Sequence, residues 1–342
     1  MNAQIRQWIK ENRQQEPWNN IRYEKGMLND YAERYFSIRG KDIVNNSYYD
    51  LLDDELIELF DVMVNKLPES EQNFLCNNVA IGYTRTLEPN ACCMKINNGY
   101  AVLFDQSFDT LLISLTEQYF AKIGNLIPCE NYSYITNNSI LSIYFGLCIY
   151  KEPIDTDNFI YRENIDHWVY IITIFILAHE IAHIILNHHQ EKNTKNSFYK
   201  MNTGKGKYYK QYIKSHKQEF DADKWAINYI LKNMVINGKA DESKAWGLVY
   251  IQISWLFTIL RAIEEMSLRI GETIETTHPS SSQRWVEISS IFLDTKNIDY
   301  MYFFECQKMN EAVLNSVTCG RMPKLNYMLQ DNLIRTRIRL QK

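Results

Sequence analysis

The sequence predicts a predominantly helical α+β protein, in which a small sheet accompanies many helices. Apolar residues recur at helical spacing over much of the chain, as in Tyr49–Lys66, where leucine, phenylalanine and methionine side chains form one stripe. Three short β-like stretches are grouped between residues 79 and 104. Helical patterns then dominate to the end of the sequence, without an internal repeat.

The elements follow one another in a simple order. Residues 1–75 are predicted to be helical. Strands are predicted at Val79–Thr84, Cys92–Ile96 and Tyr100–Phe104. The last two are separated by Asn-Asn-Gly at 97–99, which is typical of a tight hairpin turn.

Two long apolar runs are predicted to be core helices rather than membrane spans. Trp168–Ala178 is too short before the polar residues that follow it, and Trp246–Ile263 is interrupted by Gln252, Ser254 and Thr258. A spanning helix needs about 20 largely apolar residues. A helix that is apolar on all faces is normally a buried one, so no membrane association is expected.

Composition and charge indicate an ordinary globular protein of the cytoplasm. The chain has 342 residues, 46% hydrophobic and 23% charged, which suits one large or two modest domains. A formal net charge of −4 gives no electrostatic reason to expect nucleic acid as a partner. The first twenty residues lack the apolar core of a secretory signal. The seven cysteines include no CxxC pair, so reduced thiols are expected.

An HExxH motif stands at residues 179–183, directly after the first of the two apolar runs. Residues four apart on an α-helix lie one turn apart on the same face, so His179 and His183 can reach one metal ion. Glu180 is then close enough to act on a water molecule held there. Core histidines satisfied by hydrogen bonds are the alternative for this segment taken alone.

A catalytic zinc ion usually takes three protein ligands, and two candidates exist for the third. His189 has the metzincin spacing, but that arrangement requires a glycine where Leu186 stands. If the helix continues, His188 and His189 are expected to point away from the metal as a solvated helix end. The second candidate is Glu219.

Glu219 is favoured because Asp223 lies four residues later on the same predicted helix. One carboxylate can then bind the ion while the other accepts a hydrogen bond from a ligand histidine, as metal-bound imidazoles usually require. Ala222 is small enough to let two helices approach closely. An ordinary amphipathic helix with an acidic first turn is the alternative.

The order of three motifs resembles that of the gluzincin zinc peptidases. HExxH is followed by Glu-Phe-Asp-Ala-Asp at 219–223 and by Thr-His-Pro at 277–279, with Arg284 shortly after. Within the gluzincins, the pattern is similar to the Lit-type phage-exclusion peptidases and to the heat-shock membrane peptidases. The resemblance covers roughly residues 90–290 and is strong at the motifs. The lack of a predicted membrane span favours the Lit-type group.

The resemblance implies Zn²⁺ as the cofactor of a metallopeptidase. The implied metal ligands are His179, His183 and Glu219. Glu180 is the implied general base, and Asp223 is the implied hydrogen-bond partner of a ligand histidine.

The resemblance also implies supporting roles for residues outside the ligand set. His278 is expected to donate to the oxyanion of the reaction. Arg284 is expected to face or brace the site, with a purely structural ion pair as the alternative. Gluzincins hold an extended substrate against an edge strand, and the candidate strand here carries Tyr100, Val102 and Phe104. A strand internal to a small sheet is the alternative.

Three regions follow from this resemblance: an N-terminal helical region at 1–75, a zincin-like peptidase domain at 76–296 and a C-terminal helical extension at 297–342. A small antiparallel sheet is expected beside the HExxH helix. The Lys-rich segment at 192–217 is either a solvated surface, or a lid or contact for an acidic partner.

The expected function is cleavage of a cytosolic protein or peptide substrate, in phage defence, when an activating partner is present. A catalytically inactive sensor or scaffold is one alternative, and a regulatory peptidase that removes a repressor is another. The residues do not identify the substrate, the activating signal or the oligomeric state.

Overall fold

The predominantly helical α+β class is confirmed by the computed structural model. It describes residues 1–12, 48–84, 91–96, 99–141, 161–188, 194–199, 207–212, 216–235, 242–270, 279–294 and 300–320. The described chain forms two compact units, one within Met1–Gln106 and one that begins at Ser107. The three predicted regions stay a prediction.

The first unit combines helices with a three-stranded mixed sheet. Its described helices are α1 (Ala3–Asn12), α2 (Tyr48–Val64) and α3 (Glu69–Asn78). Its strands are β1 (Val79–Thr84), β2 (Ala91–Ile96) and β3 (Gly99–Asp105), close to the predicted bounds. The strand order is β1-β3-β2.

Strand β3 is the middle strand of this sheet, so the edge position predicted for Tyr100, Val102 and Phe104 is wrong. It pairs with β2 as an antiparallel hairpin and with β1 in parallel, so the sheet is mixed rather than antiparallel. The physical reason lies in the apolar character of both faces of β3: every residue except Tyr100 is buried along its length. A strand with two buried faces is better satisfied between two neighbours than at an edge.

Gly99 follows the predicted hairpin turn and is required there by a close approach of backbone. A Cβ atom at this position would lie 2.5 Å from the carbonyl oxygen of Asn78. Real Cβ atoms do not approach a backbone oxygen so closely, and only glycine avoids the clash. The register pairs Ile96 with Gly99, as a two-residue turn demands.

The second unit is a helical assembly that carries the HExxH motif. Its described helices are α4 (Gln106–Ile123), α5 (Cys129–Ser139), α6 (Arg162–Ile185), α7 (His216–Ile230), α8 (Glu242–Arg269), α9 (Ser281–Asp294) and α10 (Tyr300–Cys319). Helix α6 packs against α7 and α8, and α9 packs against both α7 and α8. Helices α6, α7 and α9 supply the polar residues discussed below.

Two helices of this unit are long and apolar enough to cross a membrane, namely Arg162–Ile185 and Lys244–Arg269. Most of each apolar stretch is buried inside the protein, 89% and 83% respectively. Trp255 of α8, for example, is fully buried, and its ring lies 5.0 Å from that of Tyr119. Such burial is typical of core helices, and the expected absence of a membrane partner stays a prediction.

A second small sheet lies within the Lys-rich segment, where no strand is predicted. Strand β4 (Thr194–Tyr199) pairs in antiparallel fashion with β5 (Lys207–Tyr212). The sequence predicts that helices dominate after β3, and it does not predict this pair of strands. Both stretches contain tyrosine or phenylalanine, which favour strands. Their lysines suggested a solvated surface instead, so the strands were not predicted.

Candidate metal centre

Helix α6 places three polar side chains inside an otherwise apolar environment. His179, Glu180 and His183 are only 3%, 2% and 0% exposed. The helix is buried almost continuously from Ile171 to Ile184, so its polar groups project into protein rather than into water. As the i, i+4 spacing predicts, the two imidazoles lie on one face, with ring centroids 4.7 Å apart.

Helix α7 adds a carboxylate from its first turn. Glu219 is fully buried, and its Oε2 and Oε1 atoms lie 3.3 Å and 3.4 Å from the Nε2 atoms of His179 and His183. The two Nε2 atoms are 3.1 Å apart. Ala222, one turn farther along α7, is fully buried as α7 packs against α6. Three side chains from two helices therefore converge on one point.

The dimensions of this triangle fit a divalent metal ion. Zinc binds histidine nitrogen at about 2.0–2.1 Å and is usually tetrahedral, which puts its ligand atoms about 3.3 Å apart. The observed separations are close to this value: the two Nε2 atoms are 3.1 Å apart, and they lie 3.3 Å and 3.4 Å from different oxygens of the Glu219 carboxylate. Two imidazoles with one carboxylate also form a known donor set for catalytic sites. The cluster of His179, His183 and Glu219 could therefore hold a metal ion.

A buried chain of polar groups contacts the Nδ1 side of His179, opposite the nitrogen that faces Glu219. Asp223 Oδ1 lies 2.8 Å from His179 Nδ1. Arg284 of α9 donates to the same carboxylate twice, from Nε to Oδ2 at 2.9 Å and from Nη2 to Oδ1 at 2.6 Å. Arg284 is 5% exposed, and its guanidinium lies over the ring of Phe257. Arg284 thus forms a buried ion pair with Asp223, a contact that both sequence interpretations of this residue allow, and its role stays a prediction.

Electrostatics makes these three groups strongly interdependent. Burial, the largest single effect, would raise the pKa of Asp223, but the charges and hydrogen bonds of Arg284 and His179 together outweigh it and lower that pKa below its usual value. Burial, the largest single effect, lowers the pKa of His179, and the charge of Arg284 acts in the same direction. The charge of Asp223 together with hydrogen bonds to Asp223 and Glu219 outweighs both and raises that pKa. The pKa of Arg284 is raised, since Asp223 more than offsets the effect of burial. Each group is thus held in its charged or proton-rich form by its neighbour.

The formal charge of the cluster favours a cation. Glu180, Glu219 and Asp223 contribute three negative charges, and Arg284 contributes one positive charge, all nearly excluded from water. With both imidazoles neutral, as metal ligation requires, the sum over these described residues is −2. A divalent cation would neutralise that buried charge.

His188 does not point away from the centre, so this expectation is wrong. Helix α6 ends at Ile185 instead of continuing, and Asn187 adopts a left-handed backbone conformation with φ of 57°. The chain turns there, and His188 Nδ1 comes to lie 2.8 Å from His183 Nδ1. His189 lies outside the described residues.

The start of α9 is anchored in a way that sequence reasoning missed. Ser280 and Gln283 form a reciprocal capping box, in which Ser280 N donates to Gln283 Oε1 and Gln283 N donates to Ser280 Oγ. Ser281 donates from both N and Oγ to Glu264 of α8. The S-x-x-Q spacing at 280–283 could have revealed the cap. Arg284 is positioned by this anchored turn.

The remaining predicted site residues lie beside the cluster, outside the described residues or in the first compact unit. Glu180 Oε1 lies 4.0 Å from His179 Nε2, at the edge of the ligand triangle. His278 lies outside the described residues. Tyr100, Val102 and Phe104 belong to the first compact unit, and their role in binding substrate stays a prediction.

Residues 157–303 match the model of the Peptidase U49 family, a Lit-like peptidase family. This match supports a peptidase. The matched stretch is less than half of the chain, and it contains all the predicted catalytic and metal-binding residues, from His179 to Arg284. Neither a curated protein nor a solved structure matches the chain.

Proposed function

We propose that the protein is a soluble zinc-dependent endopeptidase of the gluzincin type, with Glu180 as the general base. One observation carries the proposal. His179, His183 and Glu219 converge in a buried triangle, with Glu180 beside it, inside the stretch that matches a peptidase family. A purely structural metal site would have no need of a buried carboxylate next to its ligands.

The proposed roles follow from the chemistry of each side chain. His179, His183 and Glu219 would hold the ion, and their His₂Glu donor set is that of known zinc hydrolases. When bound, zinc polarises a carbonyl group and lowers the pKa of a water molecule toward about 7. Glu180 accepts the proton from the attacking water and passes it to the leaving amine. Its burial in a medium of low dielectric strengthens every charge interaction along this route.

Two further residues complete the proposed site. Asp223 fixes the tautomer of His179 by accepting a hydrogen bond from Nδ1, so that Nε2 presents its lone pair to the ion. His278 is proposed as a donor to the oxyanion, on the basis of the Thr-His-Pro segment at 277–279. The tetrahedral oxyanion needs such a donor in addition to the ion.

The proposed biological setting is cleavage of a cytosolic protein in phage defence, switched on by an activating partner. It is supported by the resemblance of the three motifs to the Lit-type peptidases and by the match to the Peptidase U49 family. Substrates and activators are recognised by surfaces outside the metal centre. The residues of the centre carry no information about them.

Replacement of Glu180 by glutamine tests the mechanism. The Glu180→Gln protein is expected to bind one equivalent of zinc by elemental analysis, because residue 180 is not a ligand. It should produce none of the new protein N-termini that appear in phage-challenged cells expressing the wild type. Glu219→Gln is the matched control, and it should lose both zinc and cleavage. Undiminished cleavage by Glu180→Gln would remove Glu180 from the mechanism, and a wild type without zinc would refute the metal site.

The same comparison separates the two alternative functions. A catalytically inactive sensor or scaffold would leave the N-termini of the proteome identical in wild-type and Glu180→Gln cells, while both proteins remain active in defence. A regulatory peptidase would give a Glu180-dependent N-terminus within a repressor.

A further inference from the structure

The geometry points to His188 as a positioning residue that fixes the ring of His183 by accepting a hydrogen bond from it. The inference rests on the proposed metal site. Its basis is the 2.8 Å distance between the Nδ1 atoms of the two rings, whose centroids are 5.0 Å apart. His188 is half-buried, whereas His183 is fully buried.

When a metal ion is bound, only one arrangement of protons on the two rings allows this hydrogen bond. A hydrogen bond between two ring nitrogens needs one N–H and one lone pair. His183 Nε2 points toward His179 and Glu219, and ligation there uses its lone pair. The proton of His183 is then on Nδ1 and is donated to His188 Nδ1. His188 must carry its own proton on Nε2, so both tautomers are determined.

The backbone explains why His188 reaches this position. The last turn of α6 closes with Leu186 N donating to Ala182 O and Asn187 N donating to Ile184 O. Asn187 then takes the left-handed conformation, which asparagine tolerates better than most residues. The turn brings the next side chain back over the final turn of the helix, where His183 stands. His188 is therefore placed by a defined helix end.

The two ligand histidines are supported in chemically different ways. His179 faces the carboxylate of Asp223, whose charge is balanced by Arg284. His183 faces a neutral imidazole, which accepts a hydrogen bond without adding a negative charge to a buried cluster that already sums to −2. A carboxylate in place of His188 would leave that cluster with uncompensated charge when a divalent ion is bound. A neutral acceptor suits the charge balance of the centre.

Metal affinity is the readout that tests this role. We expect His188→Leu to weaken Zn²⁺ binding by about 10–100-fold, the usual loss when the partner of a ligand histidine is removed. His188→Asn should recover most of the affinity, because an asparagine oxygen can stand near the position of Nδ1 and accept the same proton. Purified proteins stripped of metal would be titrated with Zn²⁺ against a chromophoric chelator. Co²⁺ spectra of the same proteins report the ligand geometry.

His167→Leu is the matched control, because His167 is exposed on the same helix, slightly more than three turns before the motif. It should bind Zn²⁺ like the wild type and give the same Co²⁺ spectrum. Wild-type affinity and spectrum in His188→Leu, or equal losses in His188→Leu and His188→Asn, would overturn the inference and leave the proposed peptidase intact. A wild type that binds no Zn²⁺ would overturn both.

A second measurement keeps the inference open to refutation if the leucine variant fails to fold. Long-range ¹⁵N–¹H NMR of zinc-loaded wild-type protein, labelled at histidine, reports which ring nitrogen carries each proton. The expected pattern is a protonated Nδ1 on His183 and a protonated Nε2 on His188. A protonated Nδ1 on a neutral His188 would exclude it as the acceptor.

Discussion

Asp223 contacts His179 although it is not one of the three side chains that converge at the candidate metal centre. It uses one oxygen for both the histidine and the guanidinium, and the other oxygen for the guanidinium alone. Removal of its charge would leave Arg284 as a buried cation whose main partner is neutral. Buried ion pairs of this kind matter chiefly through what is left behind when one member is removed.

We therefore predict that Asp223→Asn lowers both stability and metal affinity. The free energy of unfolding should fall by about 3–5 kcal/mol, the usual effect of breaking a buried pair. Zinc affinity should fall by about 10–100-fold, since the amide supports the His179 ring less well. Urea unfolding and chelator competition measure the two effects.

Asp54→Asn is the control for this experiment, because Asp54 forms an ion pair with Arg6 in which both side chains are substantially exposed. Exposed pairs contribute about 0–1 kcal/mol, so this variant should unfold almost like the wild type. Equal effects of the two substitutions would show that the buried network has no special importance.

At the scale of elements, the sequence predicts what depends on helical spacing and fails where chain direction depends on particular turns. The i, i+4 relation was sufficient to join His179 to His183 and to place Glu219 and Asp223 on a second helix. It could not predict the position of His188, because the end of α6 is marked by a left-handed asparagine rather than by glycine.

The strands also show that local sequence patterns predict elements and turns but not long-range pairing. Apolar runs predicted β1, β2 and β3, and the Asn-Asn-Gly turn predicted the hairpin. The parallel pairing of β1 with β3 joins segments separated by another strand, and no local pattern encodes it. The β4–β5 pair was missed because its lysines suggested a solvated charge run.

The close packing of α6 against α7 gives a prediction at this scale. Ala222→Leu introduces a larger side chain at a fully buried contact and should force the two helices apart. Overpacking of this kind costs about 1–3 kcal/mol. The displacement also moves Glu219 away from the imidazoles, so zinc stoichiometry should fall together with the thermal midpoint. Elemental analysis and thermal unfolding measure both.

Lys224→Leu supplies the matched comparison on the same helix. Lys224 is exposed, so the same new side chain should leave zinc content unchanged. Full zinc binding by Ala222→Leu would mean that Glu219 does not depend on the approach of α7 to α6 through this residue.

At the scale of the whole molecule, composition and periodicity predicted the fold class. The HExxH helix, the Glu219 helix and the Arg284 helix all belong to the second unit, so the described side chains of the centre lie in one compact unit. Their assembly joins residues 179, 219 and 284, which lie on separate helices. The spacing of the motifs indicates that these residues belong together. Their meeting at one centre results from the packing of the three helices.

If the centre binds a metal ion as proposed, the stability of the second unit should depend on that ion. An ion that binds the native state but not the unfolded state adds about 2.7 kcal/mol when its free concentration is 100 times Kd. We predict that a chelator lowers the thermal midpoint of the wild type and that added Zn²⁺ restores it. Scanning calorimetry measures the shift, and a trace with two transitions should change in only one of them, because the ligands all lie in one unit.

Two variants decide whether this shift comes from the proposed ligands. Glu219→Gln should no longer respond to either chelator or Zn²⁺, because it lacks the carboxylate that completes the triangle. Glu180→Gln should respond like the wild type, because its side chain lies outside that triangle. If Glu219→Gln kept the full zinc-dependent shift, the ion would bind elsewhere and the three buried side chains would need another explanation, such as hydrogen bonding within the core.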